Sequence, residues 1–279
     1  MKKISRRSFL AVCGAMAATA ALTACGGSSA STASSVASSA ASSEAASTSA
    51  AAGELTTVEA GKLTMATNAT FPPYEMTTDA GEFEGIDIEA AQAIADKLGL
   101  ELQIDDMDFD AALLSVQQGK ADIVMAGVTV TDERKAVMDF SDSYATGIQS
   151  IIVPEGSDIA SPDDLAGKKI GTQRGTTGYI YCSDDFGDDN VVAYDDGLTA
   201  VQALNNGQVD AVVIDNAPAQ EFIAANPGLK ILDTSYAEED YAIGMAKGSS
   251  LEDAVNAALK ELKADGTLQS IVDKYITAE

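Results

Sequence analysis

Histidine is absent from all 279 residues of the chain. Without an imidazole there is no Ser-His-Asp or Cys-His nucleophile, no histidine general base and little from which to build a zinc site. Cysteine is scarce as well, with three residues in all, Cys13, Cys25 and Cys182. Only Cys182 falls in the body of the sequence, so no intrachain disulfide is available there and a hydrophobic core must carry stability. Basic residues are few, 17 Lys+Arg against 43 Asp+Glu, for a formal net charge of −26. An excess of that size repels nucleic acid and acidic lipid surfaces. It suits a solvated surface and could also concentrate cationic solutes.

What is present begins with an export signature. Lys2, Lys3, Arg6 and Arg7 precede an apolar segment from Phe9 to Ala21 that is too short to cross a bilayer comfortably, and Leu22-Thr23-Ala24-Cys25 closes it. Those four residues resemble the lipobox of bacterial lipoproteins, which implies a signal peptide over residues 1–24 and a lipid, such as palmitate, at Cys25. Ser5-Arg6-Arg7-Ser8-Phe9-Leu10 also resembles a twin-arginine export signal, with Ala11 where lysine is usual. The competing reading is an uncleaved membrane anchor with an ordinary buried cysteine. Cleavage would leave 13 basic residues against 43 acidic ones, a net charge near −30. From Gly26 to Gly53 the chain is almost wholly Ser, Ala, Thr and Gly, too poor in apolar bulk to offset the entropy of ordering. Residues 25–57 therefore read as a tether, a coil of about 30 residues reaching roughly 30 Å.

Beyond the tether, short apolar runs alternate with helical periods. Strands are expected at Leu63–Ala66, around Leu100, Leu102 and Ile104, and at Ile123–Met125. Between them, Asp87 can cap a helix with Ala91, Ile94, Ala95 and Leu98 on one face, and Asp108 can open another with Leu113, Leu114 and Val116 inward. The pattern then restarts. Ile148–Val153, Lys169–Thr172, Val191–Tyr194 and Ala211–Ile214 read as strands, Ser161-Pro162-Asp163-Asp164 as a capped helical start, and Gly197–Asn205 as a helix with Leu198, Val201 and Leu204 inward. A strand at Tyr241–Ala246 precedes a capping box at Ser249–Glu252 and two terminal helices, the last burying Leu268, Ile271, Val272 and Tyr275.

This order implies an α/β fold of two lobes, each a mostly parallel sheet flanked by helices. The expected boundaries are 58–147 for the first lobe, 148–240 for the second and 241–279 for a return to the first, so that two crossings make a hinge with a cleft. An internal echo agrees: Gly119-Lys120-Ala121-Asp122-Ile123-Val124 and Gly207-Gln208-Val209-Asp210-Ala211-Val212 share Gly-x-x-Asp-x-Val. Ligands gather beyond the carboxyl ends of strands in open α/β sheets, so Gly127 to Thr131 and Asp215 to Asn216 should face one crevice.

Four motifs in series carry a resemblance. Thr67-Asn68-Ala69-Thr70-Phe71-Pro72-Pro73-Tyr74-Glu75, Gly85-Ile86-Asp87, Ala126-Gly127-Val128-Thr129-Val130-Thr131-Asp132-Glu133-Arg134 and Asp139-Phe140-Ser141-Asp142-x-Tyr144 resemble the amino-acid-binding lipoproteins that feed ABC importers, the extracellular solute-binding protein family 3. The similarity runs from Leu63 to Tyr275. It implies a type II periplasmic-binding-protein fold and a monomer, held to the extracytoplasmic face of the membrane, that takes an L-amino acid, polar or basic, and passes it to a permease. No cofactor, metal or nucleic acid enters that picture.

The chemistry of such a ligand can be set against particular residues. A carboxylate and an ammonium held in a dry cleft need a fixed cation, a fixed anion and neutral donors. Arg134 suits the carboxylate because guanidinium grips it with two parallel hydrogen bonds; the alternative is a surface arginine paired to Asp132 or Glu133. Thr129 offers a hydroxyl and Gly127 a close backbone approach. Thr177, in Arg174-Gly175-Thr176-Thr177-Gly178, could hold the same carboxylate from the second lobe. Asp215 ends an apolar strand, and the resemblance assigns it to the ammonium, although it could equally cap the next helix. The resemblance also implies a side-chain subsite of Asn68, Phe71, Tyr74, Phe109 and Gln173. Relatives for basic or glutamine side chains often carry Asp where Asn68 stands, which tilts the reading toward a neutral polar ligand.

Other candidates fail. Asp106, Asp108 and Asp110 begin like a calcium loop, but Ala111 and Gln117 occupy the glycine and glutamate positions. An enzyme of the same fold, a dehydratase acting on a prephenate-like acid, would need a carboxylate or tyrosine proton donor in the cleft. An amino-acid-sensing lipoprotein is the third reading.

Overall fold

The computed structural model describes residues 55–276. The expected signal peptide, Cys25 and all but the last residues of the expected tether lie outside them. In chain order the first part holds β1 (Lys62–Thr67), β2 (Thr70–Phe71), β3 (Glu75–Thr77), β4 (Phe83–Glu84), α1 (Ile86–Leu98), β5 (Glu101–Asp106), α2 (Phe109–Gln117), β6 (Ile123–Val124), α3 (Asp132–Val137) and β7 (Met138–Phe140). The long β8 (Ala145–Pro154) follows, then β9 (Ile170–Gln173), α4 (Thr177–Phe186), β10 (Val191–Tyr194), α5 (Gly197–Asn205), β11 (Ala211–Asp215), α6 (Asn216–Ala225), β12 (Leu229–Ile231) and β13 (Ala237–Tyr241). Strand β14 (Gly244–Ala246) and helices α7 (Glu252–Ala264) and α8 (Thr267–Tyr275) end the described chain.

Two sheets organise these elements. In the first the order is β5-β1-β6-β14-β7, with β1 parallel to β5 and β6, and β14 antiparallel to β6 and β7. In the second the order is β10-β9-β11-β8-β12, with β9 parallel to β10 and β11, and β13 also paired to β8. A parallel trio thus forms the heart of each sheet, and antiparallel strands are added beside it. Apolar clusters cover both faces: α1, α7 and α8 pack residues such as Ile94 and Leu259 against Leu63 and Met65, while α2 packs Val116 against Val124 on the other side. In the second sheet α5 and α6 bury Val201, Leu204 and Phe222 on Val212, and α4 buries Cys182 against Ile151 and Val213. Every residue of β1 after Lys62 is buried, as a strand covered on both faces requires.

The chain passes between sheets twice, from β7 to β8 and from β13 to β14. At the crossing β8 and β13 run side by side over Ala145–Tyr241 to Gln149–Ala237. This two-stranded ribbon joins the halves.

Several local expectations are corrected. Gly85, not Asp87, precedes α1, because its φ of 129° brings the chain against the Tyr74 carbonyl, where a Cβ would lie 2.2 Å away. Asp87 is instead fully buried in the first turn and accepts from the Gly127 N–H and the Tyr144 hydroxyl. Leu114 and Leu198 face solvent at 49% and 43% exposure; Ala112 and Ala200 take the inward places, since small residues let α2 and α5 sit close on their sheets. The box at Ser249–Glu252 does not form, and Leu251 stands at the cap with its N–H on the Ser249 hydroxyl. The box at Ser161–Asp164 does form, on the single turn Pro162–Leu165. The strand expected at Tyr241–Ala246 is cut at Ala242-Ile243, where the chain leaves one sheet for the other.

Candidate ligand-binding site

Between the sheets lies a cavity, lined from the first by Asn68, Phe71, Glu75, Phe109, Ala126, Gly127, Thr129 and Arg134, and from the second by Gln149, Gln173, Thr176, Thr177 and Val213 to Asp215, with Tyr241 of the ribbon between them. Nine of the ten residues singled out from sequence line it. Tyr74 does not: it is 4% exposed and packs behind the wall, 5.8 Å from the Phe71 ring and 5.5 Å from Tyr241.

Arg134 reaches the cavity from the first turn of α3, whose cap is Thr131. It is 9% exposed, so the surface-arginine alternative does not hold. Its guanidinium donates to the Thr129 carbonyl at 2.8 Å and, across to the other half, to the Gly175 carbonyl at 3.1 Å. It also stands 5.4 Å from the Phe109 ring centre, a cation over an aromatic face. Burial draws its pKa down, and the charge of Glu239 opposes that shift.

Asp215 ends β11 and is 2% exposed. It caps α6 through the Ala217 N–H at 3.0 Å and accepts from the Ile148 N–H and the Tyr241 hydroxyl, both at 2.8 Å. Cap and cavity wall are thus one residue. Burial pushes its pKa up to about 6, against the pull of those donors. A Cβ on Gly147 would meet the Tyr241 ring at 2.4 Å, so bare backbone there is what lets the tyrosine lie across the ribbon to Asp215.

Asn68 and Gln173 meet across the halves, the Gln173 amide donating to Asn68 Oδ1 at 2.8 Å, while Asn68 donates to the Met107 carbonyl. Thr176 caps the ten-residue α4, so the positive end of that helix adjoins the cavity beside Thr177. Gly127, at φ 55°, lies so close to Phe71 that a Cβ would be 2.9 Å from its ring.

Two carboxylates escaped the sequence reading. Glu75 is fully buried in the cavity wall beside Asp87, and no other residue donates to it. Burial first, then the Asp87 charge, raises its pKa well above the ordinary value, while burial pushes that of Asp87 up to about 6. Glu239, on β13 behind the cavity, accepts from the Thr129 and Thr177 hydroxyls and the Gln149 amide. Its signal was alternation: Glu239 and Tyr241 are the buried residues of a strand whose intervening Asp240 is exposed.

Comparison with known proteins decides the family. Residues 63–278 match the model for bacterial extracellular solute-binding proteins, family 3. The chain belongs to this family. This solute-binding protein is 33% identical over 226 residues to the L-cystine-binding protein TcyJ of Escherichia coli K12, covering 79% of the chain and 85% of the relative. Among solved structures, an ancestral arginine-binding protein bound to arginine is 43% identical with a TM-score of 0.74, over 77% of this chain and 98% of that one. The arginine-, lysine-, histidine-binding protein ArtJ of Geobacillus stearothermophilus is 34% identical with a TM-score of 0.75, over 78% and 96%. The fold is that of the type II periplasmic-binding proteins. Like its relatives, the chain is a binding protein rather than an enzyme, which sets the dehydratase reading aside.

Proposed function

We propose that the protein captures an L-amino acid with a cationic side chain outside the cytoplasm and delivers it to an ABC importer. The observation that carries this is the presence of Arg134 and Asp215, two buried and opposite charges from different sheets, in the lining of one cavity. Arg134 takes the ligand carboxylate, helped by the start of α4, and Asp215 takes the ammonium. A zwitterion cancels those two charges. Burial favours the neutral form of Glu75, and a cation at the far end of the ligand would favour its ionised form, so a cationic side chain and the Glu75 carboxylate would stabilise each other. Asn68, which had tilted the reading toward a neutral ligand, accepts from the Gln173 amide and gives one of its two N–H groups to the Met107 carbonyl. Relatives named for arginine, lysine and histidine support the same ligand class, whereas others are named for cystine and glutamine.

Calorimetry with L-arginine and its uncharged isostere L-citrulline tests this. Arginine should bind more tightly, Glu75→Gln should remove most of that preference, and Arg134→Ala should cost about 3–5 kcal/mol of affinity for either. Equal binding of the two by the wild-type protein removes the cationic requirement, and unchanged affinity in Arg134→Ala removes Arg134 from the site. Export with lipid attachment at Cys25 completes the proposal; Cys25→Ser should move the protein from the membrane fraction to the soluble one, and its retention there would rule the anchor out.

A further inference from the structure

Hydroxyl protons at the cavity can be counted. Thr129 donates to Glu239 Oε2 at 3.1 Å, Thr177 donates to the same oxygen at 2.9 Å, and the Gln149 amide joins them at 3.0 Å. Glu239 is 7% exposed and lies outside the cavity lining, whereas both threonines belong to it. A carboxylate only accepts, and a threonine has one hydroxyl proton. The two hydroxyls also stand 3.4 Å apart, where either could donate to the other, but the Glu239 oxygen is nearer to both; with both protons given to it, each hydroxyl offers the cavity lone pairs alone.

Asp215 makes this matter. A carboxylate has about four acceptor sites, and three hydrogen bonds, from the Ile148 and Ala217 N–H groups and the Tyr241 hydroxyl, already fall on this one. Roughly one site remains for an ammonium that brings three N–H donors. Two acceptors are missing, and two turned hydroxyls line the same cavity.

We infer that Glu239 is a positioning residue for ligand capture: from the ribbon between the sheets it takes one proton from each half and fixes Thr129 and Thr177 as acceptors for the ligand ammonium. The carboxylate of the ligand is then left to Arg134, which still has unused N–H groups, and to the start of α4. This reverses the expectation that Thr129 and Thr177 donate to the ligand carboxylate. Because Thr129 lies on the first half and Thr177 on the second, the acceptor set is complete only when both meet Glu239.

The inference rests on reading the cavity as an amino-acid site, and its test separates the two. Calorimetry compares L-arginine with 5-guanidinopentanoic acid, which lacks only the α-ammonium. In Glu239→Gln the new amide N–H must turn at least one hydroxyl back toward the cavity, so the preference for arginine over the des-amino acid should fall about tenfold or more. Equal losses for the two ligands would mark Glu239 as merely structural, and an unchanged preference would overturn the inference as well. If the wild-type protein binds neither compound, the cationic-ligand reading fails first. Neutron diffraction from the ligand-free protein then still decides about Glu239: deuterons of Thr129 and Thr177 directed at it are expected, and deuterons directed into the cavity would refute it.

Discussion

Burial outweighs the three donors to Asp215 and pushes its pKa up to about 6. Its ordinary value is 3.8, so the folded ligand-free protein holds this proton more tightly than the unfolded chain does. Stability at this residue therefore rises as pH falls from about 6 toward 3.8, and affinity for an ammonium moves the opposite way. Arginine affinity should decline as pH drops below about 6, and Tyr241→Phe, which removes a donor that lowers the Asp215 value, should shift that decline to higher pH. Titration calorimetry between pH 4.5 and 8 reads both; a decline at the same pH in the variant would disconnect Tyr241 from the anion. At this scale the sequence exposed residues whose chemistry is distinctive, such as Arg134 after a helix cap and Asp215 after Val-Val-Ile. Glu75 and Glu239 stayed hidden because, among 43 acidic residues, the only mark on Glu239 was a short alternation with Asp240 and Tyr241, and Glu75 had none until strand pairing was known.

Elements were legible where periodicity and punctuation agreed. The α5 helix and β10 have the expected ends, and α1 stops at Gly99, which adopts the left-handed conformation. Starts were harder. The Asp87 carboxylate looked like a cap, yet it serves Gly127 and Tyr144 40 and 57 residues away, a demand no local pattern contains. The short β2-β3-β4 sheet passed unnoticed because two- and three-residue strands have no period to read. Gly85 carries the consequence. At φ 129° with the Tyr74 carbonyl in the way, Gly85→Ala forces backbone rather than a side chain to move. A loss of about 2 kcal/mol or more is expected in urea unfolding, from left-handed strain alone on the order of 1–2 kcal/mol plus the clash. An unchanged midpoint would mean the α1 entry has room that the structure denies.

For the molecule as a whole, alternation of strands and helices conveyed two α/β halves, and the repeated Gly-x-x-Asp-x-Val marked the β6 and β11 entries to both. What alternation could not convey was that β8 and β13 would form a ribbon, since their pairing joins residues as far apart as Ala145 and Tyr241. The cavity depends on that ribbon, because Tyr241 and Glu239 connect the two walls from it.

Strand β14 sits between β6 and β7, although 103 residues separate Phe140 from Gly244. All six strands of the second sheet, by contrast, lie within residues 145–241. During synthesis or threading through a translocon, the later half can therefore finish while the earlier half still waits for one of its inner strands. A nascent chain halted after Tyr241 should show protected amides in β9 and β11 and fast-exchanging ones in β6 and β7. The N-terminal half is made first and completed last.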